Sequence, residues 1–222
     1  MAERVLVDND VILKAASYSL CNALLSRTTI LGVVPAILGV ARYVVGGRIN
    51  RMAGLINRTK ALAAFDEFLG TVTELEPTDA EVEYAAELEA EASRHDVELD
   101  GGESQLLAIL MTRGCDLLLT GDKRAINAIS IIGPKRAHGR IGCFEQLMMD
   151  ILVNMPAGAL RQLVCGEPLA DRAMAICFSC ARQGAPPDEE IAQGLCSYIN
   201  HLCTTSAGVL LSGYDLSAMR HT

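Results

Sequence analysis

Acidic side chains stand just beyond two apolar runs. Asp8 closes Val5-Leu6-Val7, and Asp122 follows Leu117-Leu118-Leu119-Thr120-Gly121. A third acid, Glu103, follows Asp100-Gly101-Gly102 at the head of an apolar stretch, and Asp10 lies two residues beyond Asp8. If the apolar runs are parallel strands, the loops at their carboxyl ends form the functional crevice of an open α/β sheet. Carboxylates gathered there without His or Cys suit a hard cation, Mg2+ or Mn2+. Carboxylates in close contact repel one another, and a cation removes that penalty. The chemistry such a cluster could do is metal-assisted phosphodiester hydrolysis, in which the metal acidifies a bound water. Asp8, Glu103 and Asp122 are therefore candidate catalytic residues and metal ligands. Asp10 is a further candidate ligand.

The surrounding pattern supplies elements to position these acids. Val5 to Val7 reads as a short buried strand, and the spacing of Ile12, Ala15, Ala16, Leu20 and Leu24 predicts a helix over residues 11–25. Residues 29–34 are β-rich, and Pro35 fits the first turn of a helix over 35–45. A basic helix is expected over 50–68 and a strand over 70–75. Thr78 or Asp79 can cap the helix that follows. Asp100-Gly101-Gly102 reads as a turn into a helix from Glu103, which Gly114 would end. A strand over 116–120, a turn over 121–125 and a short strand over 139–144 complete the alternation. Alternating strands and helices imply a three-layer α/β/α sandwich around a mainly parallel sheet. After residue 151 the pattern becomes helical, over 169–181 and 187–203, so residues 1–151 read as the main domain and 152–222 as a helical extension.

The formal net charge of −8 argues against a protein that coats nucleic acid by bulk attraction. The charge is segregated, however. Residues 11–65 carry seven bases and no acid, whereas residues 66–103 carry fourteen acids and one base, Arg94. A basic face is thus expected despite the acidic total, with Arg42, Arg48, Arg51, Lys123 and Arg124 as candidate phosphate contacts. The first ten residues lack a signal-peptide pattern, and residues 30–41 are too short to span a bilayer. A cytoplasmic protein with no membrane partner is expected, with its eight cysteines reduced. Cys177 and Cys180 form a C-x-x-C near Cys196, His201 and Cys203, which leaves zinc as a lesser alternative to buried free thiols.

The motifs also resemble the PIN-domain family of nucleases, over roughly residues 3–150. Val5-Leu6-Val7-Asp8-Asn9-Asp10 is similar to its first motif, Gly102-Glu103-Ser104-Gln105-Leu106-Leu107-Ala108 to its second, and Leu117-Leu118-Leu119-Thr120-Gly121-Asp122-Lys123-Arg124-Ala125 to its third. The resemblance implies a PIN-like sandwich and a ribonuclease dependent on Mg2+ or Mn2+, with RNA as substrate. It implies Asp8 as central ligand and Glu103 and Asp122 as its companions. A toxin–antitoxin or RNA-processing role follows from the same likeness. Residues 152–222 could dock an inhibitor or partner protein or a second copy of the chain, as a homo-oligomer, or simply cover an apolar face of the main domain. Many members carry another acid in the segment that is here residues 35–41, and this chain has none there.

Other readings remain. Asp8, Asp10 and Asp122 could cap helices, and Glu103 could simply complement a helix dipole. A PIN-like fold without catalysis would serve as a binding module. Asp8-Asn9-Asp10 also resembles the D-x-D motif of haloacid-dehalogenase phosphatases, but no Lys precedes Gly121-Asp122 at the spacing such enzymes need.

Overall fold

A computed structural model describes residues 4–221; residues 1–3 and 222, at the ends of the two expected segments, lie outside the described residues. The chain runs β1 (Val5–Val7), α1 (Asn9–Ser17), α2 (Cys21–Thr28), β2 (Ala36–Leu38), α3 (Ala41–Arg51), α4 (Arg58–Leu69), β3 (Thr73–Leu75), α5 (Asp79–Arg94) and α6 (Gly101–Arg113). It continues through β4 (Leu117–Thr120), α7 (Lys123–Ile132), β5 (Ile141–Cys143), α8 (Phe144–Asn154), α9 (Ala157–Gly166), α10 (Arg172–Cys177) and α11 (Asp188–Thr205). The strands form one parallel sheet in the order β3-β2-β1-β4-β5.

Side chains alternate across the three inner strands, β2, β1 and β4, so each of these feeds two cores. Val5, Val7, Ile37, Leu117 and Leu119 face a core shared with α1, α2, α3, α4 and α8. Leu6, Ala36, Leu38, Leu118 and Ile141 face the opposite core, with α5, α6 and α7. The expected three-layer α/β/α sandwich is present. Thr78 caps α5 in a reciprocal box with Glu81, and Gly114 ends α6 in the left-handed conformation, at φ 70°.

Four stretches differ from the sequence expectation. The helix expected over 11–25 is two helices, parted where Ser19 adopts φ 57°. Residues 29–34 make a tight turn, bridged from Ile30 to Val33 through Leu31 and Gly32 at positive φ. The strand is Ala36–Leu38, where a helix was expected. Those residues are fully buried between β1 and β3, so sheet pairing overrides the helix-start signal of Pro35. The helix expected over 50–68 breaks at Gly54, and the Glu167 carboxylate accepts the freed N–H groups of Ile56 and Asn57 at 2.7 and 2.6 Å.

Glu167 belongs to the C-terminal helices, which are built into the sandwich. Residue 151 lies inside α8. Leu160, Val164, Met174, Phe178, Ile191 and Leu195 fill the same core as β1, while Ile199 and Leu202 of α11 enter the other core. Leu210 bridges Ile141 and covers the β5 edge. Cys165 and Cys180, whose Cα atoms lie 5.1 Å apart, form a disulfide. The expectation of uniformly reduced cysteines is therefore corrected: the end of α9 and the turn after α10 bring two thiols together. The pairing also removes Cys180 as a zinc ligand beside Cys177. Among the described residues no helix is long and apolar enough to cross a membrane.

Candidate functional site

Strand order reverses between β1 and β4, the place where open α/β sheets form their crevice. Asp8 sits at the carboxyl end of β1 and caps α1: its carboxylate accepts the N–H groups of Asn9 at 2.7 Å and Asp10 at 3.4 Å. Thr120, the last residue of β4, donates its hydroxyl to Asp8 at 3.2 Å and accepts the N–H of Asp122 at 3.2 Å. Asp122 in turn caps α7 by accepting Arg124 N–H at 2.8 Å. Asp100 caps α6 by accepting from Gly102 and Glu103, both at 2.9 Å, and the Glu103 carboxylate accepts Asp100 N–H at 3.0 Å. Three helix N-termini thus aim at one corner of the sheet, and each brings a carboxylate.

The corner is electrostatically unbalanced. Burial lifts Asp8 to about 6, with Asp10 the largest neighbouring charge adding to the shift. Burial lifts Glu103 to about 8; its hydrogen bond from Asp100 opposes this, while the charges of Asp100, Asp8 and Asp122 add to it. Asp8 and Glu103 share a closed crevice with Leu106, Leu118, Thr120, Ala125 and Ile129. Asp122 behaves otherwise. Burial would raise it, but hydrogen bonds and charge from Arg124 win and hold its carboxyl below the usual range.

Asp10 belongs to a second network. Lys14 Nζ lies 2.6 Å from Asp10 and 2.7 Å from Asp171, and 3.4 Å from the Gly121 carbonyl. The ammonium also stands 5.4 Å from the centre of the Phe144 ring. Arg48 approaches Asp10 at 3.8 Å. Burial alone would lower the pKa of Lys14, but Asp10 and Asp171 outweigh it and hold the ammonium above its usual range. A methyl group on Gly121 would collide with the Asp10 carboxylate, so glycine is what lets Asp10 lie against the β4–α7 turn.

The basic candidates divide. Arg48 touches Asp10, Arg124 pairs with Asp122 at 2.9 Å, and Lys123 is held by Glu145 at 2.8 Å and the Tyr198 ring at 4.2 Å. Arg42 pairs with Glu74 of β3, and Arg51 folds back against Gly47 of its own helix. The acid-free segment 35–41 receives a carboxylate from outside itself, because Glu76 at the end of β3 packs over Gly39.

All-oxygen donors that repel one another have the chemistry a hard cation needs. Their present placement is that of caps: among the described residues, no group of three or more His, Cys, Asp or Glu side chains is arranged to hold a metal. The Glu103 carboxylate accepts the Asp100 N–H through Oε2, so Oε1 could meet a cation with that bond kept. Sequence reasoning passed over Lys14 and Glu145 and missed Asp171. Lys14 follows Asp10 by four residues on one helix, a pairing distance that could have been read. Asp171 has no local signal beyond capping a short helix. No protein-family model matches the chain, and no curated protein or solved structure matches it.

Proposed function

We propose that the protein is a metal-dependent endoribonuclease that hydrolyses RNA phosphodiester bonds. Asp8, Glu103 and Asp122 would hold Mg2+ or Mn2+, with Asp10 at the margin. The observation that carries this reading is the pair Asp8 and Glu103. Both are buried at the switch point, and neither has an ion-pair partner among the described residues. Uncompensated carboxylates cost stability, and a function is the ordinary reason to keep them. A bound divalent ion would supply an acidified water and charge neutralisation at the phosphate. The chain's own residues do the rest. Thr120 orients Asp8 and the Asp100 N–H orients Glu103; Arg48, Lys123 and Arg124, here paired with Asp10, Glu145 and Asp122, would turn to RNA phosphates. A cytoplasmic location, where RNA is abundant, accompanies this reading.

The test is cleavage of single-stranded RNA with manganese, with a chelator control and Asp8→Asn. Expected are metal-dependent products, and a rate at least about 100-fold lower in the variant. Cleavage that persists in Asp8→Asn sinks the assignment. A second reading, a non-catalytic binding module, draws on the caps: Asp8, Asp100 and Asp122 each have a structural role of their own. It predicts RNA binding without products.

A further inference from the structure

Asp171, at the start of α10, reaches the acidic corner from the C-terminal helices. Its side chain is 12% exposed and 2.7 Å from Lys14. Lys14 is 13% exposed and carries the contact onward to Asp10 at 2.6 Å and to the Gly121 carbonyl at 3.4 Å. The chain around Asp171 is fastened on both sides. Upstream, Glu167 accepts three hydrogen bonds, from the N–H groups of Ile56 and Asn57 and the Asn57 side-chain amide, at 2.6–2.9 Å. Downstream, Cys180 returns to Cys165, closing a loop with a sequence separation of 15 that contains Asp171. Asp171 Oδ1 accepts Met174 N–H at 3.0 Å, which leaves Oδ2 aimed at Lys14.

A surface ion pair would not need such fastening. Here Lys14 and Asp171 are mostly withdrawn from water and Asp10 is partly buried, so each leans on the other, and the geometry of one constrains the geometry of the next. Without Asp171, Lys14 would have freedom to leave Asp10, and Asp10 would have freedom to leave the β4–α7 turn. That turn carries Asp122, and Asp10 is the largest charge acting on Asp8.

We infer that Asp171 is a positioning residue: acting through Lys14, it holds Asp10 against Gly121, so that the strap between Cys165 and Cys180 is a working part of the acidic site. Its effect on turnover rests on the nuclease reading, whereas its effect on the position of Asp10 does not.

The experiment uses the full chain and Asp171→Asn, because Asn caps a helix as well as Asp does and removes only the charge. Lys14→Gln, the double variant, and Arg182→Ala as a remote control complete the set. Amide hydrogen exchange at Asn9, Asp10, Gly121 and Asp122 reads the positioning directly. Expected is exchange about tenfold faster at these amides in Asp171→Asn and unchanged in Arg182→Ala. The double variant should exchange no faster than Lys14→Gln alone, since the two act in series. In RNA cleavage with manganese, Asp171→Asn should lower kcat about tenfold with KM within about twofold, the pattern of misplacement and not of lost binding. Unchanged exchange at those amides in Asp171→Asn overturns the inference, as does additivity with Lys14→Gln. If the native chain cleaves no RNA, the nuclease reading fails while the exchange data still decide the role of Asp171.

Discussion

Around Lys14, two carboxylates close on one ammonium from either side, at 2.6 and 2.7 Å. Around Asp8 and Glu103, carboxylates face each other with backbone N–H groups and one hydroxyl as their partners. The first is partly buried and the second buried, and both lie at the carboxyl end of the same two strands. In the first, each carboxylate is matched with the ammonium, which helps hold Asp171 below its usual range and is itself held above its own; burial without a counterion pushes the second toward its protonated form, Asp8 up to about 6 and Glu103 up to about 8. The difference separates scaffold from site. A matched triad holds the corner together, and the unmatched pair is where the proposed function puts its cation.

The largest expected effect breaks the matched half. Lys14→Met would remove the ion-pair partner of Asp171, leave Asp10 only the more distant Arg48, and should cost about 3 kcal/mol in urea unfolding. A loss below about 1 kcal/mol would mean that water reaches these carboxylates and that the contrast between the halves is overdrawn.

In the unmatched half the sign reverses. Glu103 has its proton-binding midpoint near 4.5 when unfolded and about 8 when folded, so the folded protein binds more protons between those values. Its contribution to stability is full below pH 4.5 and is lost as pH rises toward 8. Asp8 acts in the same direction between 3.8 and about 6. Glu103→Gln keeps an oxygen for the Asp100 N–H and removes the charge. It should therefore raise stability at pH 8 by ~2 kcal/mol and leave it unchanged at pH 4, as denaturation at the two pH values would show. Manganese should act on the same half. A millimolar addition should raise the melting temperature at pH 8 by about 3 °C, and by less at pH 5, where protons compete for the carboxylates. No shift at either pH would remove the metal from the proposal.

The parts of this arrangement that were legible in sequence are local ones. Val5-Leu6-Val7-Asp8 and Leu117-Leu118-Leu119-Thr120 announce buried strands with a polar exit, and Asp100-Gly101-Gly102-Glu103 announces a cap. Acid residues at strand ends then follow from the topology of a parallel sheet. The strand Ala36–Leu38 was hidden because three residues between two neighbours take their conformation from those neighbours, while Pro35 argues locally for a helix. The reach of Asp171 was hidden for a similar reason. Its partner is brought to it by α9, α10 and a disulfide, and nothing in the residues around it states where that packing leads.

The smallest effects come from two glycines, and they compare the turn after β4 with the turn after β2. At both Gly121 and Gly39, an added methyl group would meet a carboxylate oxygen: Asp10 in the first case, Glu76 in the second. Neither glycine has a positive φ, so alanine suits both backbones and the outcome depends on whether the carboxylate can move. Asp10 is a short side chain pinned by Lys14, and its displacement pulls on the ion pair. Gly121→Ala should cost about 1 kcal/mol or more. Glu76 is exposed and longer, and it can swing into solvent. Gly39→Ala should therefore stay within about 0.5 kcal/mol of the native chain, helped by the smaller entropy of the unfolded alanine variant. Equal losses at the two positions in parallel urea titrations would show that Asp10 is no more firmly held than an exposed glutamate, and the triad around Lys14 would lose its claim to rigidity.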